Sequence, residues 1–241
     1  MHQLKLPESA CSAGLEVWEL ALDLAKPLCD SDWTLLSREE AARARRYRWH
    51  EDRVRAVTTR AALRRLLGSR LRRPPQSLLF VYGPHGKPSL PQAPHIQFNV
   101  SHAGSYALIA VSNEGEIGVD IERCESALDL DALRVHVSSY VERTAGDNVS
   151  GFFELWVVKE AVLKALGLGI AEHLQDVSVL GRETERGACG HRFYRVQVDC
   201  AHWHRFRVWP LDVPVGYVAA VAHVEPRTLL YVSANRELSH L

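Results

Sequence analysis

Residues 96–121 read IQFNVSHAGSYALIAVSNEGEIGVDI, and they decide the fold class because three apolar runs are separated by turn signals. The runs cover residues 96–100, 106–111 and 117–121, and the turn signals fall at 103–104 and 113–115. Short apolar runs bounded by glycine-containing turns are typical of consecutive antiparallel strands. The stretch therefore predicts three such strands.

Helices and further strands flank this stretch. A capping-box pattern at Ser37 predicts a helix over about 37–49, and a second helix is predicted over about 51–67. Apolar residues recur at helical spacing over about 148–166, and strand-like segments follow between 177 and 224.

The order of elements predicts an α+β protein made of two similar α/β halves related by pseudo-two-fold symmetry. Each half is predicted to contain an antiparallel sheet packed by helices. The halves are expected to meet near residues 112–116, which gives an N-terminal half at 1–113 and a C-terminal half at 114–241. The duplication is inferred from element order alone, because no residue-level repeat is visible.

Composition favours a globular protein of the cytoplasm. The 241 residues are 46% hydrophobic, which is enough to bury one large core or two smaller ones. The five cysteines are odd in number and include no C-x-x-C pair, so reduced thiols are favoured over a disulfide framework. Since neither a signal-peptide pattern nor a long apolar run is present, we expect no membrane association.

Charge is balanced overall but not locally. Lysine plus arginine and aspartate plus glutamate both total 29, which argues against a nucleic-acid partner. Residues 38–73, however, contain thirteen arginines, no lysine and four acidic residues, so this region favours anions. Tyr47 and Trp49 lie among these arginines, and an arginine-rich nucleic-acid-binding protein is therefore the main non-enzymatic alternative.

Two motifs carry acidic groups. Gly118-Val119-Asp120-Ile121-Glu122 places two carboxylates on one face of a predicted strand, because strand side chains alternate with period two. Adjacent carboxylates repel, and a hard cation such as Mg²⁺ would compensate them. In the predicted helix, Trp156, Glu160 and Lys164 share one face. A solvated strand edge and a solvated Glu–Lys pair are the simpler interpretations of each motif alone.

Two further motifs place polar groups at turns. Phe98-Asn99-Val100-Ser101-His102 ends an apolar strand with a hydroxyl and an imidazole, which suit a phosphate. Gly86-Lys87-Pro88 adds one cation on a tight turn. Structural capping would explain either motif equally well.

Taken together and in this order, the four motifs resemble the larger 4′-phosphopantetheinyl transferases, the class that activates surfactin synthetase. The last motif, Trp156-x-x-Lys159-Glu160-Ala161-x-x-Lys164, and the Asp-x-Glu strand are the most specific signatures. The resemblance implies transfer of 4′-phosphopantetheine from coenzyme A to a serine of an apo acyl or peptidyl carrier protein, with Mg²⁺ as cofactor and release of 3′,5′-ADP. A monomer could complete such a site by itself.

The resemblance also implies roles for individual residues. Mg²⁺ would be held by Asp120, Glu122 and Glu160. Catalysis would use Glu160 as the base and Lys164 as the group that stabilises the leaving nucleotide. Coenzyme A would be bound by Arg43, Arg55, Lys87, Pro88, Asn99, Ser101, His102, Asp120 and Lys164.

Two departures from the family pattern are visible. Val157 stands where the family more often has a small residue, which we expect to affect packing. Arginines stand where some relatives use lysines to hold the 3′-phosphate of coenzyme A. Arg43 is the best match by position, with Arg55 and Arg60 as further candidates, and an arginine fork binds phosphate well.

Two other enzyme classes are alternatives to a phosphopantetheinyl transferase. A metal-independent acyltransferase that binds coenzyme A would use Lys87 and the arginines but would not need three carboxylates. A zinc enzyme is not favoured, because the residues that would form its site fall on predicted strands of alternating exposure. Those residues are His191, Cys200, His202 and His204.

Overall fold

The structure is a computed structural model that describes residues 1–124, 130–144, 151–184, 190–199 and 205–225. Its elements up to residue 112 are β1 (His2–Gln3), α1 (Glu8–Ser12), β2 (Leu15–Ala21), α2 (Asp30–Trp33), α3 (Arg38–Arg45), α4 (His50–Leu71), β3 (Val81–Tyr82), β4 (Pro88–Ser89), β5 (Gln97–Ala103) and β6 (Tyr106–Ser112). From residue 116 they are β7 (Glu116–Arg123), α5 (Leu130–Val137), α6 (Tyr140–Thr144), α7 (Phe152–Leu166), α8 (Ile170–His173), β8 (Val177–Thr184), β9 (Arg192–Val198), β10 (Phe206–Pro210) and β11 (Tyr217–Val224).

Two antiparallel sheets organise these elements. The first sheet has the strand order β1-β2-β6-β5, and the second has the order β7-β11-β10-β9-β8. Helix α4 packs on the first sheet and α7 on the second, each through a buried apolar cluster. The predicted α+β class with two sheet-containing halves is confirmed, whereas the pseudo-two-fold axis and the boundary between residues 113 and 114 stay predictions.

The stretch 96–121 forms the three strands that its apolar runs predict, but they do not share one sheet. β5 and β6 pair around a turn in which Gly104 adopts a φ of 50°. β7 instead pairs with β11 along its whole length. Val119 and Ile121 of β7 share a buried cluster with Leu108 of β6. The third run therefore packs against the first sheet and is an edge strand of the second.

Helix α4 is longer than the sequence pattern predicts. The capping box at Ser37 is present and starts α3, but the predicted end of the next helix near residue 67 is wrong. Gly68 lies inside α4, where a Cβ atom would come within 2.9 Å of the Arg73 carbonyl oxygen. Glycine therefore permits the chain to return closely along the helix, and α4 ends only where Arg72 adopts a φ of 52°.

Helix α7 ends where the sequence predicts. Gly167 adopts a φ of 70°, and the Leu168 N–H donates to the Leu163 carbonyl over 3.0 Å, which closes the helix. The predicted start near residue 148 falls outside the described residues. Among the described helices, none combines the length and the hydrophobicity of a membrane span.

Candidate functional site

A cavity of about 530 Å³ lies where the two sheets and the helices α3, α4 and α7 approach one another. Every position predicted to bind metal, coenzyme A or the reacting groups lines it. Its walls also include Glu40, Thr59 and Tyr82, which the sequence motifs do not predict as ligands. Arg60, a further candidate for the 3′-phosphate, lines it as well. The four sequence motifs therefore meet in one place.

Three carboxylates converge at one end of this cavity. Asp120 and Glu122 project from alternate positions of β7, and Glu160 projects from α7. One oxygen of each lies within 4.8 Å of the other two. The close approach depends on Gly118, where a Cβ atom would lie only 2.0 Å from the Ala161 carbonyl oxygen of α7. Glycine thus lets the helix lie directly on the strand.

Burial raises the pKa of all three carboxyl groups, and repulsion from neighbouring carboxylates adds to this effect for Glu122 and Glu160. Desolvation, with repulsion from Asp120 and Glu160, raises the pKa of Glu122 to about 7. Burial also raises the pKa of Asp120 and of Glu160, and Lys164 partly offsets both effects. The cluster therefore carries more negative charge than its surroundings compensate.

Lys164 is the cation that these carboxylates share. Its Nζ donates to Asp120 Oδ1 over 2.5 Å and lies 3.1 Å from Glu160 Oε2. Burial disfavours the ammonium, but the attraction of Asp120 and Glu160 outweighs it and raises the pKa of Lys164. One ammonium among three carboxylates leaves an excess of negative charge.

The chemistry of the donors fits a hard divalent cation. Asp120 Oδ2 is buried and has no hydrogen-bond partner, since Lys164 and Ser101 both contact Oδ1. A buried carboxylate oxygen without a partner is costly unless a ligand satisfies it. Oxygen ligands from two or three carboxylates are those that Mg²⁺ takes in proteins.

Strand β5 supplies the polar groups beside this cluster. Ser101 Oγ donates to Asp120 Oδ1 over 2.8 Å, and Asn99 Oδ1 accepts the Val119 N–H over 3.0 Å. Asn99 therefore joins the two sheets through its amide oxygen. The His102 ring is exposed at the cavity, yet the surrounding protein lowers its pKa through desolvation and, to a smaller extent, through Arg55 and Lys164.

The predicted phosphate-binding cations differ in whether other protein groups already occupy their hydrogen-bond donors. Lys87 Nζ donates to Glu116 Oε2 over 2.6 Å and to the Ala165 carbonyl over 2.7 Å, so its ammonium is already satisfied at the end of α7. Desolvation lowers the pKa of Lys87. Pro88 lies next to it in β4.

The predicted arginine ligands show the same contrast. Arg55 donates through Nε to the Gly104 carbonyl over 2.8 Å and through Nη1 to Asp52 over 2.7 Å. Arg43 instead lies over the Tyr82 ring at 5.2 Å and has no carboxylate partner among the residues that the structure describes. Arg43 is therefore the freer of the two cations.

Most arginines of α4 are paired with acids. Arg64 and Arg60 share Glu40, Arg65 contacts Asp32, and Arg70 contacts Glu16. These ion pairs reduce the unpaired positive charge that the composition of residues 38–73 suggests.

Two residues of the helical motif have surroundings that the sequence does not reveal. The Trp156 indole lies beside Glu122 and Glu160 and lowers the pKa of both, although its Nε1 has no partner at hydrogen-bond geometry. Lys159 is fully buried and pairs with Glu142 over 2.8 Å. Its Nζ also donates to the carbonyls of Val137 and Leu174, so Lys159 holds α7 against neighbouring segments.

The residues of the disfavoured zinc hypothesis are only partly described. His191 lies just before β9, whereas Cys200, His202 and His204 lie outside the described residues.

Comparison with known proteins gives family matches in two regions of the chain. A family model described as "4'-phosphopantetheinyl transferase, N-terminal" matches residues 29–114, and one described as "4'-phosphopantetheinyl transferase superfamily" matches residues 116–222. Slr0495 of Synechocystis is 39% identical over 170 residues, which cover 67% of this chain and 68% of the relative. The 4′-phosphopantetheinyl transferase HetI of Nostoc is 34% identical over 180 residues, or 71% of this chain and 76% of HetI. The 4′-phosphopantetheinyl transferase Sfp of Bacillus subtilis is 27% identical over 150 residues, or 61% of this chain and 66% of Sfp.

Proposed function

This chain belongs to the 4′-phosphopantetheinyl transferase superfamily, and from that premise we propose that it transfers 4′-phosphopantetheine from coenzyme A to a serine hydroxyl of an apo carrier protein, with Mg²⁺ as cofactor. The observation that carries the proposal is the convergence of Asp120, Glu122 and Glu160 beside Lys164 in one cavity. A coenzyme A-binding acyltransferase would have no use for three clustered carboxylates, so that alternative is not favoured.

Asp120, Glu122 and Glu160 are the residues that would hold Mg²⁺. Asp120 would use its unpartnered Oδ2, since its Oδ1 is engaged by Lys164 and Ser101. When bound, Mg²⁺ supplies charge neutralisation for the diphosphate of coenzyme A. Without a cation, the same three carboxylates would repel that diphosphate.

Glu160 is the group that we assign as general base. The reaction forms a bond between the serine oxygen and the β-phosphorus and breaks the bond from that phosphorus to the bridging oxygen, so 3′,5′-ADP leaves. The serine proton needs an acceptor, and burial raises the pKa of Glu160 in the direction that makes a carboxylate a better base at neutral pH. The same carboxylate would also contact the metal.

We assign Lys164 as the residue that stabilises the leaving group, 3′,5′-ADP. Its Nζ is shared between Asp120 Oδ1 and Glu160 Oε2, and its raised pKa keeps it protonated. A preorganised ammonium beside the diphosphate stabilises the negative charge that develops as 3′,5′-ADP departs. Ser101, which lies 3.3 Å from Lys164 Nζ, fixes the direction of this ammonium.

Coenzyme A would occupy the remainder of the cavity, which residues of both halves line. His102 and Arg43 are the predicted ligands that are open to the cavity and free of carboxylate partners in the described structure. Because the described site needs no residue from a second copy, we propose that a monomer is active.

Intact-mass measurement of apo carrier proteins after incubation with coenzyme A and Mg²⁺ tests the proposal. We expect a gain of one phosphopantetheine, which EDTA, Asp120→Asn and Glu160→Gln each abolish while the fold is retained. Glu172→Gln, which changes an exposed carboxylate on α8, is the matched control and should transfer normally. Normal transfer by the Asp120 or Glu160 variant would remove that residue from the mechanism, and absence of transfer by the unaltered chain to any acyl or peptidyl carrier would overturn the function.

A further inference from the structure

Lys87 connects the two elements that carry the three clustered carboxylates. Its Nζ donates to Glu116 Oε2 over 2.6 Å and to the Ala165 carbonyl oxygen over 2.7 Å. Glu116 is the first residue of β7, and Ala165 lies in the last turn of α7. One ammonium from the turn between β3 and β4 therefore contacts both the strand and the helix.

The contact with Ala165 satisfies a carbonyl that α7 itself leaves open. The last carbonyls of a helix have no N–H donor within the helix, and Ala165 is the residue before its end at Leu166. The carbonyl of Leu163 is satisfied differently, because it accepts the Leu168 N–H. A cation at this end of a helix also interacts favourably with the helix dipole. Lys87 therefore caps α7.

The stem of Lys87 is fixed by packing against the glycines that follow α7. A Cβ atom at Gly167 would lie 3.5 Å from Lys87 Cδ, and one at Gly169 would lie 3.0 Å from His85 Nδ1. The turn between β3 and β4 is itself closed, since the Gly83 N–H donates to the Lys87 carbonyl over 2.9 Å. Only 15% of the Lys87 side chain is exposed, so its ammonium has a defined position.

The position of α7 on β7 determines the geometry of the candidate site. The two backbones touch at Gly118, where a Cβ atom would lie 2.4 Å from the Ala165 nitrogen. Lys164, the residue before Ala165, reaches Asp120 of β7 through its Nζ. A displacement of this end of α7 would therefore move Lys164 and Glu160 relative to Asp120.

We propose that Lys87 is a positioning residue that holds the end of α7 on β7, and with it the reacting side chains Glu160 and Lys164; this inference rests on the proposed function. The role differs from that of a coenzyme A ligand, which the family resemblance implies for Lys87. Glu116 neutralises the ammonium, and the two contacts occupy most of its N–H donors. Little charge and little hydrogen-bonding capacity remain for a phosphate.

Transfer kinetics with Mg²⁺ and calorimetric titration with coenzyme A in EDTA separate the two roles. Lys87→Met keeps an apolar stem against Gly167 and removes the ammonium. We expect kcat to fall about ten- to one-hundredfold while the Kd for coenzyme A stays within about twofold. Loss of a phosphate ligand would instead raise that Kd about tenfold or more. Lys5→Met, at an exposed lysine, is the matched control and should change neither quantity.

Glu116→Gln distinguishes the two roles by the sign of its effect on the Kd. The change removes the carboxylate beside Lys87 and leaves the contact with Ala165, so positioning predicts a lower kcat and an unchanged Kd. If Lys87 binds a phosphate, the loss of its competing carboxylate would free the ammonium and lower the Kd. The Glu116 side chain is 49% exposed, so this milder variant tests the proposal even if Lys87→Met does not fold.

Hydrogen exchange measures the capping of α7 in the ligand-free protein. In Lys87→Met the amides of residues 163–166 should exchange about tenfold faster than in the unaltered chain, because the last turn has lost its cap. Lys5→Met should exchange as the unaltered chain does. A residue that acts only on a bound phosphate would leave these rates unchanged.

The outcomes separate this inference from the proposed function. A Kd for coenzyme A that rises about tenfold in Lys87→Met, or a kcat equal to that of the unaltered chain, would overturn the positioning role. Unchanged exchange of the last turn of α7 would overturn it as well. If the unaltered chain modifies no carrier protein, the proposed function fails. If it modifies one and Lys87→Met matches it in kcat, only the present inference fails.

Discussion

The pKa of Glu122 makes a quantitative prediction about the stability of the metal-free protein. Desolvation and two neighbouring carboxylates raise this pKa from 4.5 to about 7 in the folded state. Below pH 4.5 the carboxyl is protonated in both the folded and the unfolded chain, so its charge costs nothing. As the pH rises to about 7 the unfolded chain loses the proton first, and folding stability falls. Glu122→Gln, which is always neutral, should remove this loss.

The magnitude follows from the two pKa values. A rise from 4.5 to about 7 corresponds to about 3 kcal/mol if the group is fully shielded from water. Glu122 is only half-buried, and solvent screening reduces the effect by about half. We therefore expect Glu122→Gln to stabilise the metal-free protein by about 1.5 kcal/mol at pH 8 and by about 0 kcal/mol at pH 4.5.

Denaturant unfolding in EDTA at several pH values between 4.5 and 8 is the assay. The quantity compared is the difference in unfolding free energy between Glu122→Gln and the unaltered chain, because titrating groups away from the carboxylate cluster contribute equally to both. Glu172→Gln, at an exposed carboxylate, should show no pH-dependent difference. A stabilisation by Glu122→Gln that is the same at pH 4.5 and pH 8, or a destabilisation at pH 8, would refute the reasoning.

Three further predictions concern the metal, the strand–helix contact and the buried ion pair. Mg²⁺ at about one hundred times its Kd should stabilise the unaltered chain by about 2.7 kcal/mol and should leave the stability of Asp120→Asn nearly unchanged. Thermal unfolding with and without Mg²⁺ measures both effects, and equal stabilisation of the two proteins would show that the ion binds elsewhere. Gly118→Ala should destabilise the fold by about 3 kcal/mol, because its methyl group would lie 2.0 Å from the Ala161 carbonyl oxygen. Denaturant unfolding would measure this loss, with Gly151→Ala, at a glycine with open space around it, as the control. Lys159→Met should destabilise by about 3 to 5 kcal/mol, because Glu142 would remain buried without its cation; a loss below about 1 kcal/mol would contradict the assignment of Lys159 to structure.

The sequence predicts local features of this fold better than the partners of its strands. The capping box at Ser37 and the glycine stop at Gly167 are local, and both are confirmed. The sheet to which β7 belongs is not a local property, because its partner β11 lies about a hundred residues away. Gly68 shows the same limit in α4, since the contact that requires glycine there is made by Arg73 after the chain has turned back.

The candidate site divides in the same way. Alternation on a strand and the four-residue period of a helix are enough to predict that Asp120 and Glu122 share a face and that Glu160 and Lys164 share another. Which cations remain free for a ligand depends on tertiary neighbours. Lys87 is satisfied by Glu116 and a helix carbonyl, which no pattern near residue 87 indicates.

The two ends of the cavity have opposite electrostatic requirements, and this opposition restricts the ligand. Around Asp120 the structure places an excess of carboxylate, which requires a cation before any phosphate can approach. Around Arg60 two guanidinium groups, those of Arg60 and Arg64, share the one carboxylate of Glu40, which leaves an excess of positive charge that favours an anion. A nucleic acid would satisfy the second requirement and be repelled by the first. A thioester substrate without metal would leave the carboxylates uncompensated. A nucleotide that carries a diphosphate and another phosphate, with a divalent cation between the diphosphate and the carboxylates, would satisfy both, as we propose for coenzyme A.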